Sequence, residues 1–242
     1  MTGRFQQIQM INISDEQSWK DKVFITMDLD WACDDVLNDT IDLVERYDVA
    51  VTWFVTHDTP VLERLRENPK FELGLHPNFN FLLQGDDRLG KTTGDVISNI
   101  KKIVPEALSV RSHSMTQSSN ILDLFVQNGF THDYNHFIPM QSGIELKPWQ
   151  LWNDLIKVPY FWEDDISCLY KDLETGALLD RQGIKVFDFH PIHVFLNSEV
   201  LTCYEETRHI HHDAEALLNY RNKETYGARN ALIELLENNL CE

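Results

Sequence analysis

The 242-residue chain is 43% apolar and 11% aromatic, enough for one α/β domain with a large core and too apolar for disorder. Its 21 Lys and Arg against 39 Asp and Glu give a formal charge of −18. That balance excludes nucleic acid and anionic membrane surfaces as expected partners and favours a neutral or cationic substrate. No run approaches the roughly 18–20 apolar residues of a bilayer span, and residues 1–7 lack an apolar signal core, so no membrane span and a cytoplasmic location are expected. Cys33, Cys168, Cys203 and Cys241 form no CxxC pair, which makes free thiols the expectation and Cys33 a small packing residue.

Apolar runs alternate with helical spacings along the chain. The pattern predicts a strand near 23–28, a helix near 34–46, a strand at 50–55 and a helix at 60–67. A strand at 71–75, a helix at 94–103, a strand at 108–111 and a helix at 118–128 follow. Pro60 suits a first helical turn after Thr59 as cap, Gly129 a helix end, and Asp34 and Asp35 a first turn favoured by the helix dipole. Gln84 to Gly94, with three glycines and four charges, reads as a mobile loop placed to cover a site. Residues 138–180 are less regular, with a strand from Ile156 leading into the acidic segment Trp162-Glu163-Asp164-Asp165. Helices are expected at 213–240, and from Thr225 to Leu240 the spacing of Ala228, Ala231, Leu232, Leu235, Leu236 and Leu240 predicts one packing outside the sheet. A repeated βα unit implies a parallel sheet, open or closed as a barrel, with its functional face at the carboxyl ends of the strands.

Four of the apolar runs end on chemistry. Val23 to Trp31 carries Asp28 and Asp30, which strand alternation would place on one side. The runs Phe71 to His76, Ala107 to His113 and Ile184 to His190 each deliver a histidine. Packing alone does not account for this, since buried polar groups need partners. An Asp from one strand with His from others makes a borderline site suited to Zn²⁺, or to Fe, Co or Ni, with positions open to water and substrate. Asp28 and Asp30 divide naturally into base and ligand, and His190 is suited to protonate a leaving amine. The tract Arg208 to His212 reads as an exposed connection rather than a metal site; His132 and His136 read as loop residues, and Trp149 and Trp152 as packing or a sugar platform.

The motif order across residues 22–195 resembles the polysaccharide deacetylases of the NodB-homology, carbohydrate esterase family 4 group. Within it, Asp28-Leu29-Asp30-Trp31-Ala32, His76-Pro77-Asn78-Phe79, Arg111-Ser112-His113-Ser114 and His190-Pro191-Ile192-His193 most resemble the WbmS-like subgroup, associated with bacterial surface-polysaccharide clusters. The resemblance implies an α/β fold, a distorted (β/α) barrel with parallel strands and outer helices, as a single domain over 1–242. It also implies hydrolysis of an N-acetyl or N-formyl group on an amino-sugar substrate. By family position Asp28 is the base, Asp30 a metal ligand, His76 a metal ligand, Arg111 the group orienting Asp28, and His190 the acid. Trp162 and Asp164 would line the substrate site. His193 would orient substrate or pack, and Asp188, on the same side of its strand as His190, would hold that imidazole or remain a solvated carboxylate. The family's usual second histidine falls at Asn80, a weak zinc ligand, and His113 is expected in its place. A non-catalytic sugar-binding or scaffold protein, or a hydrolase of another C–N bond, is compatible with the same fold.

Overall fold

The computed structural model describes residues 4–238. In chain order the elements are β1 (Val23–Asp28), α1 (Asp34–Glu45), β2 (Val51–Val55), α2 (Val61–Glu67), β3 (Phe71–Leu75), α3 (Asn80–Leu83), α4 (Thr93–Lys101), β4 (Ser109–Val110) and α5 (Ser119–Gln127). Then come β5 (His132–Asp133), β6 (Trp149–Gln150), β7 (Ile156–Lys157), β8 (Trp162–Glu163), α6 (Asp164–Tyr170), β9 (Lys185–Phe189), α7 (Pro191–Leu196), α8 (Leu201–Thr207), α9 (Ala214–Leu218) and α10 (Ala228–Glu237). Leu240 of the expected last helix, and Cys241, lie outside the described residues.

Among the described residues nine strands form one sheet in the order β6-β7-β5-β4-β3-β2-β1-β9-β8. Every neighbouring pair is parallel except β6 with β7. β1, β2, β3 and β9 are buried at every position, which is why they read as near-continuous apolar runs rather than alternating ones. The sheet curls strongly. β7 lies near one edge and β8 is the other edge, yet Lys157 and Trp162 are five residues apart, no more than about 18 Å of extended chain. Isolated parallel bridges Phe137–Tyr160 and Leu146–Gly183 lie between the strands outside the main ladder. The result is a curled half-barrel, the distorted (β/α) barrel expected.

Local chemistry sets the helix boundaries. Thr59 Oγ1 accepts the Val61 N–H at 3.2 Å, Ser118 Oγ accepts from Ile121, and Thr92 with Asp95 forms a reciprocal capping box at the start of α4. Gly129 follows α5 with φ of +81°, a conformation costly to residues bearing a Cβ. At the base of the barrel, Ile8 and Ile11 plug the sheet: the Ile8 N–H bonds Thr52 Oγ1, and Thr52, Ser109 and the Gln9 N–H all donate to the buried Glu72. Burial pushes the Glu72 carboxyl above its usual range against these bonds. The last helix, α10, packs on α7, which packs on α1, so it covers the sheet at one remove. Among the described residues no helix is long and apolar enough to cross a membrane.

Candidate active site

The polar strand ends do meet at one mouth of the half-barrel, although not entirely by strand alternation. β1 stops at Asp28; Leu29 is buried, and Asp30 and Trp31 turn through left-handed conformations with φ of +40° and +58°. Asp30 therefore reaches the mouth by a tight turn rather than by the pleat. A second such turn, Ser114 (φ +56°) and Met115 (φ +52°), follows His113 after β4. Non-glycine residues in this region are strained, and here both turns carry a site residue.

Asp30, His76 and His113 converge. His76 Nε2 lies 3.3 Å from Asp30 Oδ1 and 3.3 Å from His113 Nδ1, and His113 Nδ1 lies 3.3 Å from Asp30 Oδ1. Donors 2.0–2.1 Å from a common tetrahedral centre stand roughly 3.3–3.4 Å apart. Asp30 Oδ1 is buried with no hydrogen-bond partner, the state expected of a ligand atom. Burial pulls the His76 pKa down to about 4, which keeps its imidazole neutral as a ligand must be. Burial would raise the Asp30 carboxyl, but the surrounding imidazoles of His113, His76 and His190 hold it well below the usual range. The donor set thus fits a tetrahedral divalent ion with one position open. Asp28 Oδ2 lies 3.4 Å from His76 Nδ1, where it can orient the ring. Asn80 is elsewhere: its Nδ2 donates to Ser114 Oγ and its Oδ1 accepts from Thr116, so it braces the turn behind His113.

On one flank Arg111, wholly buried after β4, reaches across to β1. Its Nε lies 3.1 and 3.0 Å from the two Asp28 oxygens and its Nη2 lies 2.5 Å from Asp28 Oδ1; Nη2 also donates to Asp188 and to Thr26. The Phe54 and Tyr160 rings lie 4.4 and 5.2 Å from the guanidinium carbon. Burial alone would favour neutral arginine, but Asp188 and Asp28 drive its pKa further up, so the charge that holds Asp28 is permanent. Asp28, Asp188 and His190 are also close enough to suggest a metal cluster, but the guanidinium already occupies that position.

His190 stands on the other flank, after β9. Asp164 accepts both its Nδ1–H at 2.7 Å and its backbone N–H at 2.8 Å, and His190 Nε2 faces Asp30 Oδ2 at 3.7 Å. Burial opposes a charged imidazole, yet the Asp164 carboxylate and its hydrogen bond, with Asp30 and Asp165 beyond, hold the pKa well above its ordinary value. Asp188, expected as the holder of His190, instead serves Arg111 and Thr26.

These groups line a cleft of about 170 Å³ formed by Asp28, Asp30, His76, Arg111, His113 and His190, with Ser112, Ser114, Met115, Tyr160, Glu163, Asp165 and Ile166. Three expected substrate contacts do not line it. Trp162 is 1% exposed and packs on Phe187 and Phe189 in the core. Asp164 is buried beneath His190, and His193 is buried against Ser198 and Tyr204. Glu163 and Asp165 face the cleft instead: along β8 Glu163 points away from Trp162, and Asp165 lies one residue into α6. Burial and the nearby Asp165 push the Glu163 carboxyl well up. Tyr160, which sequence reasoning passed over, was marked only by its place in the apolar run after Pro159. Residues 84–94 contribute nothing to the cleft wall: Arg88 folds over Phe81 and pairs with Asp86. Trp31, 44% exposed, stands edge-on to His113 at the rim.

The family model described as "WbmS-like: Polysaccharide deacetylase" matches residues 25–208. A solved structure from Bordetella bronchiseptica, described as a polysaccharide deacetylase involved in O-antigen biosynthesis, is 44% identical, covers 98% of each chain and superposes with a TM-score of 0.92. A structure described as a polysaccharide deacetylase from Mycobacterium smegmatis shares the fold at 15% identity, with a TM-score of 0.51 over 90% of this chain and 83% of that one. No curated protein matched. With the family model spanning most of the chain and a relative of this identity over nearly its full length, the chain belongs to the WbmS-like polysaccharide deacetylase family.

Proposed function

We propose that this chain is a metal-dependent hydrolase that removes an N-acetyl or N-formyl group from an amino-sugar substrate during synthesis of a bacterial surface polysaccharide such as O-antigen. The observation that carries the reading is the trio of donor atoms 3.3 Å apart, flanked by an Arg-held carboxylate and an Asp-held imidazole. Asp30, His76 and His113 would hold the ion, with Zn²⁺ the first choice for one carboxylate and two imidazoles and Fe, Co or Ni also suited. When bound, such an ion supplies Lewis acidity and lowers the pKa of a water toward about 7.

Asp28, held by Arg111, would take the proton of the attacking water. His190, whose pKa Asp164 raises, would deliver a proton to the departing nitrogen. The amine would leave on the side of the cleft lined by Glu163 and Asp165. Among the described residues Arg111 is the one Lys or Arg on the cleft wall, and carboxylates already engage it, which favours a neutral sugar at the reacting end.

Elemental analysis of protein purified without chelators tests this reading, alongside His76→Ala and His113→Ala. One transition metal per chain, lost in both variants, is expected, together with release of acetate or formate from N-acylated amino sugars in preference to simple formamides. A wild-type protein that takes up no metal even after zinc addition overturns it.

A further inference from the structure

The cleft is polarised by the order of the strands. Asp28 and Asp30 follow the central strand β1; His76, Ser112 and His113 come from β3 and β4 on one side of it, and His190, Glu163 and Asp165 from β9 and β8 on the other. The acid His190 marks the side on which the leaving nitrogen lies. The acyl oxygen of the same amide then points toward the β4 wall.

On that wall sits an unusual hydroxyl. Ser112 is fully buried in the protein, lines the cleft, and its Oγ has no hydrogen-bond partner. Its backbone is fixed, since the Ser112 N–H donates to Asn135 Oδ1 at 2.8 Å and Asn135 is itself held by the Asp133 side chain. A buried hydroxyl left unpaired costs roughly 1–3 kcal/mol and is expected to have a partner that arrives from outside the protein.

We infer that Ser112 is a catalytic residue whose hydroxyl donates a hydrogen bond to the acyl oxygen of the substrate and holds it as negative charge develops there. The inference rests on the amide-hydrolase reading above. As water adds to the acyl carbon, Asp28 takes a water proton and the C=O electron pair moves onto the oxygen, beside Ser112 Oγ–H. Re-formation of the C=O then breaks the C–N bond, the nitrogen taking a proton from His190, and a carboxylic acid and an amine result. Such a donor is preorganised, because Asn135 fixes the backbone and no competing acceptor engages the hydroxyl.

Ser112→Ala and Ser112→Thr in the metal-loaded protein test the assignment. For Ala we expect kcat to fall about 100-fold, the low end for loss of an oxyanion donor, with KM nearly unchanged and part of the loss recovered in Thr. The melting temperature of Ser112→Ala should not fall, since the group removed has no partner in the folded protein. Titrated calorimetrically, acetate should bind the Ala variant about tenfold more weakly than the wild type. Unchanged kcat, or a lowered melting temperature that marks a structural serine, overturns the inference. Should the wild type hydrolyse no N-acetyl or N-formyl amino sugar, the hydrolase reading fails by itself. The acetate titration still decides Ser112, with equal affinity in wild type and Ala counting against it.

Discussion

Asp164→Asn isolates the charge on His190 from its position. The wild-type carboxylate accepts two hydrogen bonds, from His190 Nδ1 at 2.7 Å and from the His190 backbone N–H at 2.8 Å. Asparagine keeps one acceptor for the backbone and presents an N–H₂ to Nδ1, which can accept it only if unprotonated. The imidazole is then held in the same place as a neutral ring with its proton on Nε2. One charge-assisted bond is lost, about 1.5–3 kcal/mol of stability that urea unfolding will read. As the proposed general acid, a neutral His190 should lower kcat on an N-acetyl amino sugar by about 10²–10⁴ at neutral pH. The pH profile carries the sign. Because the folded pKa of wild-type His190 is raised, activity should persist above pH 6.5, the ordinary value for histidine, and fall only at more alkaline pH. The stability gained from the charge is likewise complete below the unfolded pKa and lost as pH rises through the folded one. In Asp164→Asn the alkaline limb should move to or below the ordinary histidine range. An aryl acetate, whose phenolate leaves without a proton, should be far less affected. A kcat loss with an unmoved alkaline limb, or an equal loss on both substrates, would refute Asp164 as the support of a proton donor.

Zinc at 100 times its Kd should stabilise the wild type against urea by about 2.7 kcal/mol and leave His76→Ala unchanged; equal shifts in both would place the ion elsewhere. Arg111→Met strands Asp28 and Asp188 in the core and should cost about 3–5 kcal/mol in urea unfolding, a loss too large for a surface ion pair. Gly74→Ala sets a Cβ 2.6 Å from the Phe54 ring that packs on Arg111 and 3.1 Å from the Ser109 carbonyl. It should destabilise by about 1–3 kcal/mol and reduce kcat at normal metal content, as measured by urea unfolding and steady-state assay.

Much of this protein was legible in one dimension. The βα alternation, the caps at Thr59 and Ser118, the end at Gly129 and the four apolar runs closing on Asp or His follow from local propensity and from periods of 2 and 3.6, properties a short window carries. His113 was a candidate because its strand end carries a histidine, and in the structure it lies beside Asp30 and His76 while Asn80 braces a turn. Alternation could not say where β1 ends, so Asp30 reaches the mouth through a left-handed turn that no periodicity encodes. It also could not place the junction of a two-residue strand with the helix that follows it, where Trp162 and Asp164 went inward while Glu163 and Asp165 took the cleft. Partners 77 to 83 residues apart, Arg111 with Asp28 and Asp188, and the unpaired Ser112 hydroxyl exist only once the sheet has curled. Which polar groups share a charge, and which one is left waiting for a ligand, depends on distances across the barrel mouth. Those distances are set by tertiary packing, and a linear sequence states them nowhere.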